Sequence, residues 1–203
     1  MRNGIAYTQL NIGCLSRNKF WGEPTDRPVR SAMCTSTLIE LADESFLLVD
    51  PGVPYDDMKE IIFNRRGVSI DKVRNIFLTH FHGDHTVELE RYIGCKFYAS
   101  KEEVALSESS LPVNVEVLED QLPGVKLYLL PGHTMGTSGL GFVSDGLNVL
   151  VAGDVVATKD FLLAGEVFYN AVDEKLAKDS AKYVAKEFDI IVPGHDVQFK
   201  IKK

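Results

Sequence analysis

Six residues, His80-Phe81-His82-Gly83-Asp84-His85, constrain this 203-residue chain more than any other stretch. In an extended segment alternate side chains share a face, so His80 and His82 point to one side. Gly83 permits a sharp turn that swings Asp84 and His85 toward the same volume from a second direction. With histidine at about 2.5% and aspartate at about 5%, a chance match to the pattern is on the order of one in ten thousand. One short peptide can therefore serve two ions. Neutral imidazole and carboxylate suit zinc and also iron, manganese or cobalt, and catalytic sites keep a position open for water or substrate.

The remaining candidate ligands follow apolar runs that read as strands. Val73 to Thr79 is a buried strand leading into the cluster, Val125 to Leu130 ends at Pro131-Gly132-His133, and Ile190 to Val192 ends at Pro193-Gly194-His195. Leu140 to Ser144 and Leu147 to Ala152 flank Asp145-Gly146, a strong hairpin signal, and the second of them ends at Gly153-Asp154. Four times a strand gives way to a residue able to bind metal, as expected where binding residues sit on loops carried by a rigid scaffold. Tyr7 to Leu15, Ser36 to Glu40, Phe46 to Val49 and Cys95 to Ala99 are further strands. Helices are expected over Tyr55 to Arg65, started by Pro54 and stopped by Gly67, over Lys101 to Ser107, and over Asp173 to Glu187 with Leu176, Tyr183 and Val184 on its apolar side.

These motifs, in this order and with Ala152-Gly153-Asp154 among them, resemble the metallo-β-lactamase superfamily over nearly the whole chain. The resemblance implies an α/β (α+β) four-layer αββα sandwich of two mixed sheets, with the site at one edge. Carried over by position, it implies one metal held by His80, His82 and His133, a second by Asp84, His85 and His195, and Asp154 bridging both. Val49-Asp50-Pro51-Gly52 resembles a strand-end motif whose Asp supports the metals from beneath. No cysteine is among the ligands, and the chain is more similar to the glyoxalase II, lactonase and nuclease-like branches than to true β-lactamases. It departs from the pattern after His85, where Thr86-Val87-Glu88 replaces the usual small pair, so the neighbouring loop is expected to pack differently.

Two divalent ions, zinc first and iron or manganese as alternatives, would activate a bridging water at neutral pH. The expected reaction is hydrolysis of an ester, thioester, lactone or phosphoester, with Asp84 and Asp154 as the catalytic carboxylates. With every histidine assigned to metal, no Ser-His-Asp triad is available. A mononuclear iron enzyme resembling persulfide dioxygenases, or a catalytically silent metal-binding domain, are the alternatives. Loops 17–30, with Phe20, Trp21, Arg27 and Arg30, and 161–170, with Phe168 and Tyr169, are candidates for the substrate wall, against ordinary packing beneath a long loop.

Composition narrows the partners. At 203 residues the expectation is one domain over 1–203. A net charge of −7 makes nucleic acid unlikely as a partner and favours a small-molecule substrate. Even Ile39 to Val49 is broken by charges, so no membrane span is expected, and Met1-Arg2-Asn3-Gly4 has no apolar signal region. Three widely spaced cysteines, Cys14, Cys34 and Cys95, fit neither a disulfide framework nor a Cys-X-X-Cys motif, which points to a reducing cytoplasm. Oligomeric state is left open.

Overall fold

The structure, a computed structural model, describes residues 4–106 and 111–201. Its strands form two six-stranded sheets. The first holds β1 (Ala6–Gln9), β2 (Thr37–Glu40), β3 (Phe46–Val49), β4 (Val73–Phe77), β5 (Lys96–Ala99) and β6 (Val115–Val117) in that spatial order. The second holds β7 (Gln121–Leu122), β8 (Val125–Leu129), β9 (Ser138–Ser144), β10 (Leu147–Gly153), β11 (Ile190–Pro193) and β12 (Phe199–Lys200), likewise side by side. Both are mixed: β3 to β6 run parallel, as do β10 and β11, and the other neighbours are antiparallel.

Period-two alternation in the strands builds the layers. Ile39, Leu47, Val49 and Phe77 of the first sheet meet Leu140, Phe142, Val149, Val151 and Val192 of the second in an inner core. The alternate residues Leu38, Leu48 and Ile76 face outward onto Met58 and Ile62 of α1 (Tyr55–Arg66). On the opposite side Leu150, Ala152 and Ile191 pack with Val184 of α4 (Glu174–Glu187). The strands are near-continuously apolar because each sheet is covered on both faces. This is the expected αββα sandwich.

Helix boundaries follow local chemistry. Pro54 precedes α1, and Gly67, at φ 64°, closes it by donating its N–H to Phe63. Asp173 caps α4 by accepting from the Leu176 N–H at 2.9 Å. The buried stripe of α4 is Ala177, Ser180, Ala181 and Val184, whereas Tyr183, expected on the apolar side, is exposed. These small residues let the helix approach closely: a Cβ on Gly132 would lie 2.1 Å from the Ala177 nitrogen.

Several boundaries differ from expectation. The strand predicted over Tyr7 to Leu15 ends at Gln9, and the chain returns to the sheet only through an isolated bridge between Cys14 and Met33. β6, β7, β12 and a short helix α3 (Lys159–Leu163) are too short to show a period in sequence. Helix α2 (Lys101–Leu106) matches its prediction as far as the described residues go, and Ser107 lies outside them, as do Met1 to Asn3. Among the described residues no helix is long and apolar enough to cross a membrane.

The topology decides where function can sit. β3, β4, β8, β10 and β11 all end at the same edge of the sandwich, where hydrogen bonds from Ser138 N to Thr79 O (3.0 Å) and Thr35 N to Gly194 O (2.6 Å) join the two halves. Each candidate ligand follows one of those ends.

Candidate metal centre

All five histidines converge at this edge, with Asp84 and Asp154. Three groups have donor atoms within 4.8 Å of one another: His80, His82 and His133; His80, His85 and Asp154; and Asp84, His85 and His195. His80 and His82 follow the end of β4, His80 at a bend and His82 on extended backbone (φ −68°, ψ 149°). The turn that follows is a 3-10 turn over Gly83–His85. Gly83 is not at positive φ, and a Cβ there would meet open space, so the turn does not need the glycine's freedom. Gly153 does need it: its φ is 53°, and a Cβ would lie 2.5 Å from Thr79 Oγ1. Gly194 is required by proximity instead, because a Cβ would sit 2.0 Å from Asp154 Oδ1.

Hydrogen-bond partners assign the imidazole protons. Asp50 accepts the Thr79 N–H on Oδ1 at 2.8 Å, and the Thr79 hydroxyl on Oδ2 at 2.7 Å. Having donated, that hydroxyl is an acceptor for His80 Nδ1 at 3.1 Å. Asp50 Oδ2 also receives His85 Nδ1 at 2.9 Å. His195 Nδ1 faces the carbonyls of Met33 at 2.9 Å and Cys14 at 3.2 Å. In their neutral forms His80, His85 and His195 thus carry the proton on Nδ1 and aim a bare Nε2 lone pair inward.

What those lone pairs meet is ring nitrogen and carboxylate oxygen, with His82 Nδ1 able to donate to only one of its two neighbours. His80 Nε2 and His133 Nε2 lie 3.0 and 2.9 Å from His82 Nδ1. His85 Nε2 is 3.3 Å from Asp154 Oδ1, and His133 Nε2 is 3.3 Å from Asp154 Oδ2. His195 Nε2 is 3.2 Å from Asp154 and 3.6 Å from Asp84 Oδ2. His85 Nε2 and Asp154 Oδ1 are buried without a hydrogen-bond partner. Buried acceptors facing acceptors are unfavourable unless protons or cations lie between them. The donor set therefore fits divalent cations.

Electrostatics divides the histidines. Burial holds His80 well below its ordinary pKa and pushes His133 down to about 4. Burial also opposes charge on His85, but Cys34, Asp154 and Asp50 outweigh it and hold the imidazole well above its usual range. His195 is raised in the same way, with Asp154 overcoming burial. Burial alone would raise Asp154, yet His195, His85 and His133 keep it well below the usual carboxylate range. In metal-free protein burial thus favours the neutral form of His80 and His133, while the neighbouring negative groups favour the protonated form of His85 and His195, which a cation would have to displace. Loading the Asp84, His85 and His195 group should therefore release protons, and the His80 and His133 positions should add none. Calorimetric metal titration in buffers of different ionisation enthalpy checks this: the two loading steps should differ in buffer dependence, and equal dependence would refute the division.

Sequence reasoning found Asp50 but missed Glu103. Buried on α2, Glu103 accepts the Phe81 N–H on Oε1 at 2.9 Å and the Thr134 hydroxyl on Oε2 at 2.5 Å. It clamps the peptide between His80 and His82 to the residue after His133. The available signal was Gly136, whose absent side chain admits the α2 backbone: a Cβ there would lie 2.1 Å from the Glu103 nitrogen. Glu103→Ala leaves the Phe81 N–H unpaired and should cost about 2–3 kcal/mol in urea unfolding, with Glu103→Gln, which keeps one acceptor, losing less.

Two sequence expectations for the surroundings resolve. Glu88, in the departing Thr86-Val87-Glu88 segment, adopts φ 49° and accepts the Tyr55 N–H at 2.9 Å, capping α1. The two proposed wall loops pack against each other, with Phe20 and Phe161 ring centroids 5.1 Å apart, and Phe161 is wholly buried. Arg30 is engaged by Glu23 and by the Leu15 carbonyl, Arg27 is exposed, and Trp21 donates to Asp160 at 3.2 Å. Packing accounts for Phe161, while Phe20, Trp21 and Tyr169 keep exposed surface.

Comparison with known proteins agrees with this geometry. An N-acyl homoserine lactonase of Bacillus thuringiensis is 28% identical over 165 residues, covering 73% of this chain and 66% of that protein. Metallo-beta-lactamase domain-containing protein 1 of Homo sapiens is 29% identical over 178 residues, covering 80% and 62%. The chain thus spans about two thirds of the length of such relatives. Among solved structures, a quorum-quenching N-acyl homoserine lactone hydrolase superposes with TM-score 0.70 at 24% identity, over 97% of this chain and 93% of that one. TTHA1623 in a di-iron-bound form gives 0.63 at 22%, over 88% and 93%. These two share the fold. A sequence model described as the metallo-beta-lactamase superfamily matches residues 30–195, from ahead of β2 through the last histidine, and the chain belongs to that superfamily.

Proposed function

We propose that this chain is a two-cation hydrolase in which His80, His82 and His133 hold one ion, Asp84, His85 and His195 hold the second, and Asp154 bridges them. The observation that carries the reading is the convergence of the donor atoms of these seven side chains, with His85 Nε2 and Asp154 Oδ1 buried among them without a hydrogen-bond partner. When bound, the cations would supply an activated water near neutral pH and a positive field for the developing oxyanion.

The chain's own residues do the rest. Asp50 and Thr79 fix the tautomers and ring planes of His80 and His85, and the Met33 and Cys14 carbonyls do so for His195. Asp84 is partly exposed where the other carboxylate is buried, so it faces the opening. With one oxygen on the second ion, its other oxygen would be free to take a proton from water and return it to the leaving group. The inner core beneath the site, sealed by Val49, Phe77 and Val151, keeps bulk water from the buried side. Both sheets contribute to that core, which supports one domain across the described residues.

The substrate is a small molecule with an ester, lactone, thioester or phosphoester bond. Lactones come first, because the similar Bacillus proteins are named lactonases and one solved relative holds N-hexanoyl-L-homoserine at its catalytic metal centre. Zinc, iron and manganese all suit a nitrogen and oxygen donor set. A full second donor group disfavours a mononuclear iron oxygenase. The test is a panel of a lactone, a thioester, a phosphodiester and a β-lactam, assayed on protein of measured metal content before and after chelation. Turnover that disappears on chelation and returns with metal is expected. Turnover that survives complete metal removal defeats the proposal.

A further inference from the structure

The cations near the opening are not alike. Lys19 pairs with Glu166, and Arg30 with Glu23. Arg17 has no such neighbour among the described residues. Its guanidinium lies 5.0 Å from the ring centroid of Tyr169 and 5.9 Å from that of Phe168. No described carboxylate forms an ion pair with it, and its Nε is buried without an acceptor.

Both sides of this stack are tied to the metal centre. Cys14, three positions before Arg17, presents its carbonyl to His195 Nδ1 at 3.2 Å. Val172, three positions after Tyr169, donates its N–H to the His133 carbonyl at 3.1 Å. Three residues span at most about 11 Å, so the backbone carrying each side of the stack lies close to a histidine of the centre. Leu15, Ala157 and Phe161 fill the space beneath it, with Phe168 packed against them, directly after the Asp154 turn.

We propose that Arg17, held on the rings of Phe168 and Tyr169, is an anion subsite that takes a carboxylate or phosphate group at the far end of the substrate. Stacking on aromatic faces orients a guanidinium and strips part of its hydration, while leaving its planar fork free for a bidentate anion. The Nε is buried without an acceptor, so on this half-buried side chain the two terminal nitrogens are the fork that an anion would meet. In a chain of net charge −7, a fixed, unpaired cation at the rim is also what an anionic substrate needs to approach. Arg27 and Arg30, the arginines the sequence pointed to, do not share these features. This subsite rests on the hydrolase reading, whose substrate class it narrows to anionic molecules.

Two measurements keep the inferences separable. On metal-loaded protein, kcat/KM is compared for 4-nitrophenyl acetate and for mono-4-nitrophenyl glutarate, which differ in a terminal carboxylate. The glutarate-to-acetate ratio should fall on the order of 10-fold to 100-fold in Arg17→Gln, with Arg17→Lys restoring only part of it. Independently, titration calorimetry with glutarate and with inorganic phosphate should show at least one anion binding on the order of 10-fold more weakly to Arg17→Gln, and the anion affected identifies the group. An unchanged ratio, or equal affinities for both anions, overturns the subsite. If the wild-type chain hydrolyses neither ester, the titration alone decides the role of Arg17, and the hydrolase reading is judged separately by the lactone, thioester, phosphodiester and β-lactam panel.

Discussion

Asp154→Asn should reduce kcat/KM on the best panel substrate by at least on the order of a thousandfold, about 4 kcal/mol of transition-state stabilisation. Among the described residues Asp154 is the carboxylate that reaches three histidines, with His85, His133 and His195 all within 3.3 Å of it. An amide of the same shape removes the negative charge that two neighbouring cations would share and replaces one oxygen by a donor. That donor can satisfy one bare imidazole nitrogen, so the fold should survive. Metal content should fall from two ions per chain to one or fewer, and the thermal transition of the metal-free variant should stay close to that of the metal-free wild type. Retained activity with two bound ions would show that the bridging role belongs elsewhere.

The second large effect is expected one layer further out. Asp50 touches no inward-facing donor atom, yet Asp50→Asn should weaken metal affinity by about 10–100-fold. The fold tolerates the change, because Asp50 sits at φ 51° and asparagine is at ease in that left-handed region. Its side-chain oxygen can still accept the Thr79 N–H. The other position now presents an NH2 where Asp50 Oδ2 received the Thr79 hydroxyl and His85 Nδ1. His85 must then turn a lone pair toward position 50 and carry its proton on Nε2, facing Asp154. A protonated Nε2 cannot bind metal. Competition titration with a chromogenic chelator should show the loss, and nuclear magnetic resonance of the imidazole nitrogens should show the tautomer exchanged in the diamagnetic zinc form. Wild-type affinity in Asp50→Asn would remove the basis for assigning the protons through Asp50.

Much of this site was legible because its candidate ligands are chemically rare and sit at strand ends. Histidine makes up five of 203 residues, and all five arrive at one edge. The apolar runs of β4, β10 and β11 are strong enough to mark where each loop begins. The hairpin at Asp145-Gly146 formed as its dipeptide suggests, with both residues at positive φ, 49° and 77°. The residues that orient the ligands were harder to see. Asp50 follows a recognisable strand-end motif, but Thr79 and Glu103 are common residue types whose roles arise only when distant segments meet. Glu103 lies 31 positions from Thr134, and no local pattern records that contact. The same holds for Arg17, whose partners Phe168 and Tyr169 come from the other end of the chain. The strand predicted to run on to Leu15 stopped early for a tertiary reason as well. Gly13 lies where a Cβ would come within 2.4 Å of the Met33 carbonyl, so the chain there turns to serve His195 instead of continuing a ladder.

The central claim is that two cations occupy two separable donor groups, and metal stoichiometry tests it most directly. Wild-type protein loaded with zinc, iron or manganese and freed of excess ion should contain two ions per chain by inductively coupled plasma mass spectrometry. Asp84→Ala should contain one, still held by His80, His82 and His133. A single ion in the wild type that is unaffected by Asp84→Ala would contradict the account.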